Sequence, residues 1–465
     1  MLFNSFIYVV FLLVTVLLYW NLPQRFRVPL LLLASYVFYM VWSPPFGLIY
    51  GPVIFLDSLY FYWLSCLMVK HAAHSKKILV FGVASELMLL AFFKYNNFLL
   101  SSFEAILSFM HLPAFHLEVN IFLPLAISFT NFILISYLVD VYRGSEKPDP
   151  SFVRFATYVA FFPHLIAGPI VRASELLRQF DSFPKFKTEQ FVQGVHKFLT
   201  GLAMKVFIAD LVASYVNIIY GDPALHGFDT GWTATYGFAV QIFCDFAGYT
   251  LMAQGSALML GYTLPENFNA PYFAINISDF WRRWHMSLSR WLRDYLYIPL
   301  GGSRCSRLMT YRNLFLTMGL GGLWHGASWN FVVWGLLHGM YLSAHKFGDY
   351  FKLNRFIPPI LAWFVTFHVV CIAWVFFRAE TFQDAGSLLS AMFNPALMLG
   401  LSSWGKMTLA LSVGFLLVHL LLRQLKDIVK NPLLLDISRG VAYFVMIYLG
   451  LTVSAPQQEF IYFQF

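Results

Sequence analysis

The chain has 465 residues, 59% of them hydrophobic and 19% aromatic, with a formal net charge of +8. Only 12% are charged, about half the share of a soluble domain. That composition excludes a mostly water-facing surface and predicts an all-α, polytopic transmembrane protein, an expectation that the mean hydropathy of +0.65 supports.

Residues 1–20 are apolar but lack a basic n-region and a small-residue cleavage site, so they are expected as a retained first span and not as a signal peptide. Further apolar stretches fall near 28–42, 47–69, 78–93, 97–111, 118–139, 152–170, 190–220, 229–262, 311–345, 355–377, 403–422 and 437–454. At roughly 20 residues per crossing they give roughly ten to twelve spans. The basic residues cluster in the connections, at Arg25 and Arg27, at Lys70, Lys76 and Lys77, and from Arg143 to Lys187. The positive-inside rule places those connections in the cytoplasm and the amino terminus on the outer side of the cell (inner) membrane. Such clustering reads as topology, so nucleic acid is not an expected partner. Three apolar stretches lie between Lys77 and Arg143, and an odd number of crossings cannot return to the same side, so one of them is not a full span.

No internal repeat or low-complexity tract is visible. The longest polar stretches, 143–151 and 172–190, are too short for a separate soluble catalytic domain. Residues 1–465 are therefore read as one membrane domain. Cys66, Cys244, Cys305 and Cys371 are scattered without a C-x-x-C pair, which suggests neither a metal site nor a disulfide framework.

Two segments break the rules for lipid-facing helices. The first is 276–304, NISDFWRRWHMSLSRWLRDYLYIPLGGSR. Its charge density excludes a lipid-facing span. As one helix, with Ser278 as a start signal and Pro299, Gly301 and Gly302 as the stop, it aligns Trp281, Trp284, His285, Leu288, Trp291, Leu292 and Tyr295 along one face. Asp279, Arg282, Arg283, Ser287, Arg290, Arg293 and Asp294 fall opposite. An amphipathic helix at the membrane interface fits that pattern; so does a helix turned into the protein with His285 facing a cavity. Arg282, Arg283, Arg290 and Arg293 could dock an acidic carrier protein or a phosphate-bearing donor.

The second is 311–345, where Gly319, Gly321 and Gly322 precede Trp324-His325-Gly326. Glycines permit close backbone approach and local unwinding. An ionisable residue at such depth is a functional candidate, although a lone buried His is as readily a packing residue. On a continuous helix His338 points about 140° away from His325, so the two are not expected to share a cavity, and packing is the stronger reading for His338. The chain carries no H-E-x-x-H, no G-x-S-x-G and no Walker A loop, which disfavours a metalloprotease, a serine hydrolase of the elbow type and ATP-driven transport.

The chain resembles the membrane-bound O-acyltransferase family, on the bacterial branch that holds alginate O-acetylation and teichoic-acid D-alanyl transfer proteins. LPLAISFTNFILISYLVDVYRG (123–144), FFPHLIAGPIVR (161–172), LPENFNAPYFAINISDFWRRWHMSLSRWLRDYLYIPLGG (264–302), GLWHGASWNFVVWGLLHG (322–339) and WVFFRAE (374–380) look like that family's blocks in that family's order. The core blocks lie within 123–172 and 240–380. The resemblance implies a ring of helices around a central channel, with amphipathic and re-entrant helices. It implies that His325 of the W-H-G block is catalytic and that His285 of the W-H-x-S-L-S block is its companion. Trp284, Trp324, Trp329 and Asn330 would support and wall the tunnel. FAGYTLMAQG (246–255) has Leu251 where the alginate type has Asp, and so looks like the D-alanyl type; RDYLYIPLGG looks like the alginate type.

Acyl transfer to an alcohol needs a base and a stabilised oxyanion. A neutral imidazole, with an ordinary pKa near 6.5, can take the hydroxyl proton near neutral pH, which is worth about 10²–10⁴-fold. The expected reaction moves an acyl group, here acetyl, from a cytoplasmic thioester (acetyl-CoA or an acyl-carrier protein) to a hydroxyl of an extracytoplasmic polysaccharide. A partner transferase of the SGNH type is implied as an intermediate acceptor, no cofactor or metal is expected, and membrane lipids surround the chain. A D-alanyl transferase, a flippase for a lipid-linked sugar and a non-catalytic export scaffold are the alternatives.

Overall fold

The computed structural model describes residues 1–42, 46–113, 121, 123–124, 126–166, 168–428, 458 and 460. Every regular element among them is a helix, as hydrocarbon requires of a chain that must satisfy its backbone groups internally. The expected span at 437–454 lies outside the described residues, as does part of 118–126.

The first helix, Phe6–Asn21, shows why these sequences suit lipid. Ser5 caps it by accepting from the Tyr8 amide at 3.2 Å. Tyr8, Leu12, Thr15, Val16 and Tyr19 form its buried stripe, while Phe6, Ile7, Leu13 and Leu17 are exposed. An outward face that stays apolar is paid no solvation by water and marks contact with lipid.

Among the described residues, four helices are long and apolar enough to cross a membrane: Phe46–Lys70, Ala72–Phe109, Thr188–Gly221 and Pro359–Arg378. Phe6–Asn21 is apolar but shorter. Helices that fall below that standard carry polar residues facing protein; Phe228–Met259 buries Gln241, Asp245 and Gln254. The stretches 78–93 and 97–111 belong to one helical run, Ala72–Phe109, with a π-helical turn at Ala91–Tyr95. The three stretches between Lys77 and Arg143 are thus two helices, the second being Ile127–Arg143.

The chain divides into two compact units. One comprises Met1–Phe198, Thr250–Glu266 and Arg290–Pro299; the other comprises Leu199–Tyr249, Asn267–Ser289 and Leu300–Phe465. In the first, hydroxyl pairs lock distant segments: Tyr8 to Ser256 at 2.8 Å and Tyr19 to Tyr262 at 2.9 Å. A polar network also lies in this unit. Asp294 binds Arg172 at 2.6 Å and Arg293 at 2.6 Å, Arg290 binds Glu175 at 2.7 Å, and the Tyr295 hydroxyl donates to Asp140 at 2.7 Å. Arg293 and Arg172 hydrogen bonds hold the Asp294 carboxyl below its ordinary range, against the burial that would raise it.

The second unit is organised by a helical hairpin, Arg307–His325 and Trp329–Tyr350. A Cβ on Gly322 would collide with the Phe331 carbonyl, and one on Gly335 with the Met318 carbonyl. Backbone-to-backbone approach of this kind is the small-residue packing of membrane helices. The glycines therefore bring helices together and do not unwind one. The helix runs through Gly319–Gly322 unbroken and opens only at Gly326–Ser328, directly after His325. The unit also buries a charge cluster: Lys205 contacts Asp210 at 2.8 Å and Asp245 at 2.9 Å, with all three side chains at most 4% exposed.

The segment 276–304 is not one helix. It forms Ile277–Trp281 and Met286–Leu292, continued by a π-helical turn at Arg293–Tyr297. Its cap is Asn276 and not Ser278, with the Asn276 Oδ1 accepting from the Asp279 amide at 2.7 Å. The stop at Pro299–Gly302 is where it was expected, with Gly301 and Gly302 at φ 105° and 55°.

Candidate active site

The break between the two short helices falls on His285. Its φ is 41°, a left-handed conformation that costs a side-chain-bearing residue roughly 1–2 kcal/mol. Asn267 holds the break in place. Its carbonyl accepts from the Met286 amide at 2.9 Å, and its Oδ1 accepts from the Ser287 amide at 3.1 Å and the Ser287 hydroxyl at 2.9 Å. The Asn269 amide donates to the Arg283 carbonyl at 2.9 Å. The ENFNAP stretch thus pins the residues on both sides of His285, a role the sequence reading missed. The signal was the pair of asparagines, Asn267 and Asn269, in that stretch. The buried Ser287 departs from the expected polar face for the same reason, while Trp281, Trp284, His285, Leu288, Trp291 and Leu292 are all buried as the stripe required.

His285 is fully buried, and neither ring nitrogen has a hydrogen-bond partner among the described residues. Its ring packs edge-on against Phe246 at 4.7 Å and lies 6.2 Å from Trp324 and 6.4 Å from His325, between ring centroids. His325 closes the Arg307–His325 helix and is itself buried. Trp324 at 5.0 Å, Trp334 at 5.1 Å and Phe377 at 5.3 Å surround it edge-on. The structure thus brings His285, His325 and Trp324 into one aromatic cage within the second unit. Trp284 lies behind them, 5.1 Å from Trp374. Asn330 donates to the Ala379 carbonyl at 2.8 Å, tying the start of its helix to the end of Pro359–Arg378. Trp329, by contrast, is 59% exposed and contributes no buried wall.

The break after His325 also alters the placement of His338. A continuous helix turns the two histidines apart, but each belongs to a different helix, and both pack on Trp334. His338 does so at 4.8 Å. The Trp281 Nε1 donates to the His338 Nδ1 at 3.3 Å, while the His338 Nε2 is buried without a partner among the described residues. The indole nitrogens of Trp334 and Trp374 are likewise buried and unpartnered. Each such group costs about 1–3 kcal/mol, and the cage gathers several of them on neighbouring rings.

The four candidate docking arginines differ in occupancy. Arg283 is held by Asp279 at 2.9 Å, whereas Arg282 is 3.9 Å from the same carboxylate and largely exposed. Arg290 is paired with Glu175 and Arg293 with Asp294 in the other unit. No cluster of three or more His, Cys, Asp or Glu residues suited to a metal occurs among the described residues. A groove of about 510 Å³ lined by Pro29, Leu33, Tyr36, Met40, Pro52 and Phe55 belongs to the first unit and is apolar apart from the Tyr36 hydroxyl.

The sequence comparisons bear on this cage. The probable alginate O-acetylase AlgI of Pseudomonas aeruginosa is 42% identical over 400 residues, covering 85% of this chain and 75% of the relative. The peptidoglycan O-acetyltransferase of Helicobacter pylori is 39% identical over 395 residues, covering 78% and 73%. The teichoic acid D-alanyltransferase of Bacillus subtilis is 31% identical over 292 residues, covering 59% and 73%. The family model of the membrane-bound O-acyltransferases matches residues 143–379, a span that contains His285, His325 and the rings around them. The chain therefore belongs to the membrane-bound O-acyltransferase family.

Proposed function

We propose that this O-acyltransferase moves an acetyl group from a cytoplasmic thioester to a hydroxyl on the far side of the cell membrane, with His325 as general base. The acceptor is an envelope polysaccharide, reached directly or through an SGNH-type partner transferase. The observation that carries this reading is the buried pair of imidazoles, ring centroids 6.4 Å apart, in a cage of aromatic rings. The neutral ring of His325 takes the acceptor proton as the hydroxyl oxygen attacks the thioester carbonyl. His285, whose nitrogens are free of protein partners among the described residues, orients the acceptor. The aromatic walls exclude water and so limit hydrolysis of the thioester.

Acetyl is favoured over D-alanyl because the two O-acetylating relatives are 42% and 39% identical and the D-alanyl one is 31%. Leu251 is the residue that points the other way. The donor is acetyl-CoA or an acyl-carrier thioester, for which the exposed Arg282 is the most available guanidinium. Replacing His325 with Ala should abolish acylation of the envelope polymer at unchanged membrane abundance. Alkaline release of acetate, and not D-alanine, from wild-type polymer identifies the group. Undiminished acetate in His325→Ala would remove the base assignment.

The amino terminus lies on the extracytoplasmic side of the inner membrane in this reading. Basic connections at Arg25–Arg27, Lys70–Lys77 and 143–187 support it. A phosphatase reporter fused ahead of Phe6 should be active, and a reporter active only in the cytoplasm at that position would reverse the orientation.

A further inference from the structure

The cage holds buried N–H donors without acceptors among the described residues, and their arrangement beside His325 has a chemical meaning. Trp281 Nε1 can only donate, so His338 Nδ1 must accept its hydrogen bond at 3.3 Å. The proton of the neutral His338 ring is therefore on Nε2, which faces no acceptor among the described residues. Trp334 Nε1 is also a donor only, buried and without a partner among the described residues. The two rings are packed at 4.8 Å, and Trp334 stands edge-on to His325 at 5.1 Å. His338 is clamped from two further sides, by Phe280 stacked at 6.0 Å and Trp281 at 5.1 Å. Trp334 is braced by Trp374 at 5.7 Å and Phe377 at 5.2 Å. Two rigidly held N–H groups with nothing to donate to among the described residues, next to a base, are the preorganised dipoles that a developing negative oxygen requires.

We propose that Trp334 Nε1–H and His338 Nε2–H bind the carbonyl oxygen of the thioester and form the oxyanion hole. The proposal deepens the acyltransferase reading above and rests on it. The acceptor hydroxyl oxygen bonds to the carbonyl carbon as its proton passes to His325, and the carbonyl π pair moves onto the oxygen held by Trp334 and His338. Collapse re-forms the C=O bond and breaks the C–S bond, and the departing thiolate takes the proton from His325 to leave as thiol. His285 keeps its role on the acceptor side. The ligand class is thus an acyl carbonyl, recognised by two N–H donors and not by a cation or a metal.

The test removes one donor, in one variant with the shape of its ring kept. Trp334→Phe, and the isosteric replacement of residue 334 by benzothienylalanine, which substitutes sulfur for the N–H, are compared with wild type and His325→Ala. Membrane vesicles are supplied with radiolabelled acetyl-CoA, and label transferred to envelope polymer is measured. Loss of one oxyanion donor should lower kcat about 10²–10³-fold with little change in KM for acetyl-CoA. His338→Phe should do the same, and Trp281→Phe, which leaves the His338 proton free to occupy either nitrogen, should cost less. Thermal stability of the benzothienylalanine protein should match wild type, because shape and volume are kept. If both residue-334 variants transfer label at wild-type kcat while His325→Ala is inactive, the oxyanion assignment is wrong and the acyltransferase reading stands. Retained transfer in His325→Ala overturns both.

Discussion

At the scale of single residues, His285 combines two unfavourable states, a left-handed backbone and a buried ring with no hydrogen-bond partner among the described residues. Strain of this kind persists where the surroundings over-determine it and gathers at functional sites. The two parts separate experimentally. His285→Ala and His285→Gly both remove the imidazole, but only Gly is at ease with φ of 41°. The Gly variant should be more stable than the Ala variant by about 1 kcal/mol, read as a higher melting temperature in detergent, while both lose acyl transfer. A Gly variant that melts below the Ala variant would mean the conformation is not strained. That His285 faces inward was legible from the spacing of Trp281, Trp284, Leu288 and Trp291. That it sits at a break was not, because the break is made by hydrogen bonds from Asn267, distant in the chain.

At the scale of elements, the hairpin of Arg307–His325 and Trp329–Tyr350 places His325 at a helix end. Its glycines were visible in the sequence and were read as allowing both close approach and local unwinding; the structure uses them for close approach. Gly322→Ala puts a methyl group against the Phe331 carbonyl and should destabilise the protein by about 1–3 kcal/mol. Gly386→Ala is the control. It lies within the helix Phe382–Met392, nothing approaches its Cβ position within 4 Å, and helix propensity should make the change neutral or stabilising by up to about 1 kcal/mol. Equal melting temperatures for the two variants would refute the packing argument. Because Gly322 lies one helical turn before His325, its variant should also slow acyl transfer more than the control does.

At the scale of the whole molecule, composition alone settled the solvent. Too few charges for a water-facing surface and an excess of long apolar stretches leave helices in lipid as the only solution, and the motif blocks in their order pointed to the family. The buried Lys205, Asp210 and Asp245 cluster went unread, because each charge taken singly looks like a loop residue or an error in a span. Only folding brings one cation between two carboxylates, which such burial demands. The same distinction separates the histidines. Local periodicity encodes which side of a helix a residue occupies, so the sequence determined the membrane environment, the inward faces and the two principal histidines as candidates. The break at His285 is decided by hydrogen bonds to Asn267, and the close approach of the hairpin helices by backbone contacts at glycines, and both depend on the folded arrangement. The tertiary structure alone therefore decided that His285 and His325 meet in one cage, and that Trp334 lies between His325 and a histidine the helical wheel had turned away.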